Sequence, residues 1–151
     1  MNLKALFSFV VITASLVSCT SKQSVDPKSL LDADRYYSKL SEEKGRNAAF
    51  LALFDSAGVM LGPHHMPIEG HSAISKRLLS HPDTTYTLTW EPLFAKAAQS
   101  GELGYTYGTY KLTDRNTKKL LEEGTYTTFW QRNAKGEWKA LLDTGNEGLK
   151  D

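Results

Sequence analysis

The chain has 151 residues, 18 Lys+Arg against 17 Asp+Glu, 40% hydrophobic residues and one cysteine. That is the length of one domain with enough apolar material for a packed core, which excludes global disorder. A formal net charge of +1 removes the electrostatic footprint of a nucleic-acid binder, and a single cysteine excludes an internal disulfide framework.

The N-terminus carries one charge at Lys4, then the uncharged run 5–17, then Ser18-Cys19. Charged head, apolar middle and small-residue end follow one another in the order of a secretory signal. The apolar run is shorter than the ~20 residues a membrane span needs. Leu16-Val17-Ser18-Cys19 resembles a bacterial lipobox, and its cysteine is the only one in the chain. The resemblance implies acyl chains on Cys19, a mature chain starting there, and a cell-envelope location. Two or more chains hold a protein stably at a membrane. Thr20, where an inner-membrane lipoprotein of a Gram-negative cell would have Asp, implies the outer membrane by the same analogy. Residues 1–18 are therefore expected to be the signal and 19–29 a lipidated, polar tether.

The folded domain is expected over 30–146, with a tail at 147–151. Asp26-Pro27 places the first helix after residue 26. Leu30, Ala33, Tyr37 and Leu40 recur at helical spacing, with Ser29 as N-cap, Asp32 in the first turn and Gly45 as the stop. Asn47 is expected to cap a second helix that carries Phe50, Leu51, Leu53 and Phe54 and ends near Asp55-Ser56-Ala57-Gly58. Val59-Met60-Leu61 reads as a short strand broken by Gly62-Pro63, and Met66-Pro67-Ile68 as a short edge piece. A third helix spans 71–79 and closes at Ser80-His81-Pro82. Four long strands follow, at 84–95, 103–113, 124–132 and 138–144, joined by short turns that favour an antiparallel meander. The class is α+β, with helices on one face of an antiparallel sheet.

This order resembles the nuclear transport factor 2-like superfamily, closest to its SnoaL-like branch. The resemblance rests on Ala49-Phe50, Gly58-Val59-Met60-Leu61, Ile68-Glu69-Gly70, Gly104-Tyr105-Thr106-Tyr107-Gly108 and Gly136-Glu137-Trp138-Lys139. It implies three helices against a strongly curved sheet, forming a cone with a pocket inside. It also implies a homodimer. The superfamily includes enzymes, ligand binders and interaction scaffolds, so the fold leaves the function open.

Aromatic residues repeat along the strands: Tyr86, Trp90 and Phe94, then Tyr105 and Tyr107, then Tyr126 and Trp130. If these faces coincide, they line the inside of the cone, either as core or as an apolar pocket with a few polar handles. Candidate pocket residues are Tyr37, His65, Trp90, Tyr105, Tyr107, Tyr126, Trp130 and Asp143. Asp34, Tyr37 and Asp143 are the candidate acid–base groups, since a carboxylate inside an apolar cone has its pKa raised. Asp34 could equally face solvent and Asp143 could equally serve a structural hydrogen bond. No motif of the superfamily's ketosteroid isomerase branch matches residue by residue. His64, His65, His71 and Glu69 lie close in sequence but lack the regular spacing of a metal site; no metal and no cofactor are assigned. The expected partners are a small apolar or aromatic ligand and the membrane, with no nucleic acid. The sequence carries three functional readings: a ligand-binding lipoprotein, an isomerase- or hydrolase-like enzyme, and an interaction module.

Overall fold

The computed structural model describes residues 26–149; the residues expected to form the signal and the lipidation site, Cys19 included, lie outside them. Three helices, α1 (Pro27–Lys44), α2 (Arg46–Leu53) and α3 (His71–Leu79), pack against one six-stranded sheet. Its strands are β1 (Phe54–Met60), β2 (Ile68–Glu69), β3 (Tyr86–Ala97), β4 (Leu103–Asp114), β5 (Leu120–Arg132) and β6 (Trp138–Glu147), in the spatial order β2-β1-β6-β5-β4-β3. The architecture is the α+β cone that the resemblance implies. The long strands form the expected antiparallel meander, but β1 runs parallel to β6, so the sheet is mixed at that end.

Helix α1 starts at Pro27, whose missing N–H costs nothing in the first turn. Its cap is Asp26, not Ser29: Asp26 Oδ1 accepts from Lys28 N at 2.9 Å, while Ser29 Oγ donates to the Asp26 carbonyl. Its buried side carries Leu30, Asp34, Tyr37, Ser38 and Ser41, a helical stripe with polar members. Those polar members have partners on β3, the open edge of the sheet. Ser38 Oγ donates to the Trp90 carbonyl (2.6 Å) and accepts from Trp90 N (2.8 Å), and Ser41 Oγ donates to the Leu88 carbonyl (2.7 Å). The helix thus covers an edge that would otherwise offer unpaired backbone groups.

Gly45 joins α1 to α2 at φ 93°, and a Cβ there would lie 2.6 Å from Asp83 Oδ2. Asp83 Oδ2 also accepts from Asn47 N at 2.8 Å. The cap of α2 therefore comes from a distant loop, and Asn47 is not its N-cap. The Asn47 side chain instead donates to the carbonyls of Leu78 (2.8 Å) and His81 (3.0 Å), satisfying the end of α3.

Strand β1 begins at Phe54, earlier than the sequence suggests. Asp55-Ser56-Ala57-Gly58, which reads as a turn, is an irregularity inside the strand, with the register to β6 shifting between Phe54 and Val59. Asp55 Oδ1 accepts from Ala57 N and Ser56 Oγ, the local bonding of a turn. The core between helices and sheet holds Leu30, Leu53, Phe54, Ile74, Trp130 and Trp138.

Candidate functional site

Which side chains enter the cone is decided by cross-strand register. Tyr126 and Trp130 point inward from β5, and their partners on β4 are Gly108 and Gly104. Residues directly opposite share a face, so the inner set of β4 is Gly104, Thr106, Gly108, Tyr110 and Leu112. Tyr105 and Tyr107 pair with Phe129 and Thr127 and stand on the outer face. On β3, Pro92 pairs with Gly108 but Phe94 with Tyr107, so Leu93 is an extra residue and the strand changes parity there. Tyr86, Leu88 and Trp90 face inward, while Phe94 stacks outside on Tyr107 at 5.3 Å between centroids. Gly108 allows this bulge, because a Cβ there would collide with the Glu91 carbonyl oxygen.

A cavity of about 410 Å³ opens inside the cone. Its apolar wall includes Phe50, Leu53, Leu78, Leu88 and Trp90. Its polar floor is built from Asp34 of α1, Tyr126 and Thr128 of β5, and Asp143 of β6. Asp34 is 1% exposed and is not a solvated helix residue. Its Oδ1 accepts from Trp90 Nε1 at 2.6 Å and its Oδ2 from Tyr126 Oη at 2.8 Å. Burial raises its pKa, and the hydrogen bonds from Thr106, Tyr126 and Trp90 oppose that rise. The Tyr126 phenol is pushed up strongly, by burial first and then by the Asp34 charge, so it remains a donor.

Asp143 lies across the same floor. Thr128 Oγ1 donates to its Oδ2 at 2.7 Å, and its Oδ1 accepts no hydrogen bond among the described residues. Burial pushes its carboxyl up to about 6; the Thr128 bond lowers it and the Asp34 charge adds to the rise. The floor thus holds two unlike carboxyl groups. Asp34 is saturated by donors, while Asp143 has a free oxygen and a pKa near neutrality, the condition a general base or acid needs.

Arg46 and Arg77, both bonded to His81, line the mouth from the helix side, and Glu122 and Glu147 line it from strands β5 and β6. Tyr110 Oη donates to Glu122 Oε1, and burial together with this carboxylate raises the Tyr110 pKa. His65 also lines the mouth, its Nδ1 2.8 Å from the Met66 carbonyl oxygen. His71 instead bonds the Leu51 carbonyl through Nε2. Among the described residues no three His, Cys, Asp or Glu side chains converge as a metal site would require.

Of the residues expected in the pocket, the structure brings His65, Trp90, Tyr126 and Asp143 together. Four expectations are corrected. Tyr105 and Tyr107 are placed outside by register. Trp130 is 0% exposed in the core, its indole N–H donating to Thr106 Oγ1 at 2.8 Å. Tyr37 stacks on Trp130 at 6.0 Å, donates to the Trp138 carbonyl and accepts from Lys139 Nζ, away from the cavity. Tyr37 is therefore no partner of Asp34 or Asp143. Tyr110, Thr128, Arg46 and Arg77 were not anticipated. Thr128 was legible from parity, since it lies between Tyr126 and Trp130 on the expected inward set of β5; Tyr110 has the opposite parity to Tyr105 and Tyr107 and was not; the arginines belong to helix ends, where the sequence shows only surface charge.

Comparison with solved structures identifies the architecture. A ketosteroid isomerase-like protein from Erwinia carotovora is similar with a TM-score of 0.64 and 14% identity, over 81% of this chain and 96% of that one. A Nostoc punctiforme protein of unknown function with a cystatin-like fold has a TM-score of 0.67 and 12% identity, over 83% and 93%. A nuclear transport factor 2-like superfamily protein from Salmonella enterica has 0.60 and 14%, over 82% and 92%. The fold is nuclear transport factor 2-like. At these identities the likeness carries the fold alone. No family model matches the chain and no curated protein matches it.

Proposed function

We propose that this chain is an exported, lipid-anchored domain that binds a small apolar or aromatic molecule inside its cone. The observation that carries the reading is the cavity of about 410 Å³, with an apolar wall and a floor of oriented polar groups. A pocket of this size and make-up suits one small organic ligand. The anchor is Cys19, through the lipobox that the sequence resembles, and the cell envelope is the site of action. Among the described residues no helix is long and apolar enough to cross a membrane.

One observation favours a second reading, acid–base catalysis of the isomerase or hydrolase type. Asp34 and Asp143 meet in one cavity, and Asp143 has both a pKa of about 6 and an unpaired oxygen. In that reading Asp143 moves the proton, while Asp34 holds Tyr126 and Trp90 in place. A homodimer is part of the proposal. The outer sheet face presents Phe94, Tyr107 and Phe129, with Tyr107 44% and Phe129 48% exposed, and such a face suits a sheet-to-sheet contact.

Native mass spectrometry of the full chain released from detergent tests ligand and dimer together. The expected result is a dimer mass carrying a co-purified small molecule that is lost from Trp90→Ala. A bare dimer that binds no member of an apolar-aromatic compound set overturns the ligand reading; a monomer overturns the dimer.

A further inference from the structure

The cavity has a cationic lip with unused donors. Arg46 opens α2 and Arg77 lies in the last turn of α3. Both reach His81: Arg46 Nη2 donates to its carbonyl at 3.4 Å, and Arg77 Nη1 donates to its ring, 2.7 Å from Nε2. Arg46 is further fixed by Nε and Nη2 bonds to Asn47 Oδ1 (3.1 and 2.8 Å), and its guanidinium lies over the Tyr86 ring at 5.4 Å. Both arginines thus bond to one residue, His81, and neither is paired with an acid among the described residues. The ion pairs among the described residues join Lys28 to Asp32, Arg35 to Glu91 and Lys39 to Glu43, and include neither arginine. The nearby Asp83 carboxylate is turned to Asn47 N. Arg46 Nη1 and Arg77 Nη2 have no acceptor among the described residues.

Elsewhere the cavity repels anions. Asp34 and Asp143 form its floor, and Glu122 and Glu147 line its mouth from β5 and β6. An anionic group is therefore welcome at one place only, and the apolar wall between lip and floor accepts an uncharged body. We infer that the ligand is an amphiphilic organic anion: a planar apolar or aromatic body that lies along Leu88 and Trp90, with a carboxylate held by Arg46 and Arg77 at the mouth. Guanidinium forks match a carboxylate through paired N–H donors, and Arg46 is already oriented by Asn47 and Tyr86. This orientation sets the end of the ligand distal to its carboxylate against Asp143. The inference rests on the cavity being a ligand site and adds the ligand's charge and direction.

The test uses the full chain in non-ionic detergent, titrated by calorimetry with 2-naphthoate and with 2-naphthamide, which share a ring system and differ in charge. Naphthoate is expected to bind at least about tenfold more tightly, a difference of about 1.4 kcal/mol. Arg77→Gln, on an exposed helix turn, should bring naphthoate close to the affinity of the amide and weaken the amide far less than naphthoate. Arg46→Lys, which keeps the charge and loses the fork, should recover only part of the preference. Equal binding of the two probes by the unaltered chain overturns the anion site and leaves the ligand reading standing. A preference for naphthoate that survives Arg77→Gln also overturns it. Binding of neither probe overturns the ligand reading, and the anion site with it.

Discussion

At the scale of single residues, the two floor carboxylates show how neighbours divide one chemistry between like groups. Both are desolvated, but Asp34 has donors on both oxygens and Asp143 on one. The Asp143 carboxyl, at about 6, binds its proton more tightly in the folded chain than in the unfolded one, where an aspartate titrates near 4. Between those values the folded state holds more protons, so stability is full below pH ~4 and falls as pH rises towards 6. Asp143→Asn removes that loss. It should raise stability at pH 7 by up to about 3 kcal/mol and flatten the pH dependence between 4 and 7, measured by urea unfolding at several pH values. The raised pKa of Asp34 acts in the same direction, so it contributes to any fall that remains in the variant. An Asp143→Asn chain no more stable at pH 7 than the native one would mean that the surroundings do not raise the pKa of this carboxyl.

At the scale of elements, the sheet edge and the bulge decide what the cone contains. Strand β3 is an edge, and α1 covers it with serine hydroxyls rather than with apolar side chains. Ser41 is fully buried, so Ser41→Ala leaves the Leu88 carbonyl without its donor. The expected loss is about 1–2 kcal/mol, the usual cost of an unsatisfied buried group, with faster amide exchange in β3 than in β5. A variant with unchanged stability would show that water replaces the hydroxyl. The helix spacing around Leu30, Tyr37 and Leu40, the stop at Gly45 and the bounds of α3 were legible, because each depends on neighbours within a turn or two. The caps were not. Ser29 and Asn47 have the chemistry of N-caps, but Asp26 and the remote Asp83 reach the free N–H groups first. Asp55-Ser56-Ala57-Gly58 has the composition of a loop, yet pairing with β6 draws it into a strand.

At the scale of the whole molecule, the cone separates two aromatic surfaces that the sequence merges. Trp90 and Tyr126 face the cavity, while Phe94, Tyr105, Tyr107 and Phe129 stack on the outside at 5.3 to 6.1 Å. The inner set serves the ligand reading and the outer set the dimer reading, so disruption of one should spare the other. Tyr107→Lys with Phe129→Lys should give a monomer by sedimentation and leave binding of 2-naphthoate unchanged; loss of both together would mean that the cavity is completed only in the dimer. The proposed attachment to a membrane depends on neither surface. Cys19→Ala should abolish fatty-acid labelling of the chain in cells, whereas labelling that persists removes the lipobox reading.

The sequence by itself determined the α+β order, most helix and strand positions and the alternation within each strand, because hydrophobic period and turn chemistry are local. It also placed Asp34 and Asp143 among the candidates. Only the tertiary structure decided which alternating set faces inward. Face assignment follows from pairing Tyr126 with Gly108 and from one extra residue at Leu93, and neither is visible within a single strand. The same holds for the chemistry of the site. A carboxylate's pKa and an arginine's free donors depend on what the fold brings beside them, and that environment comes from helix, strand and loop segments far apart in the chain.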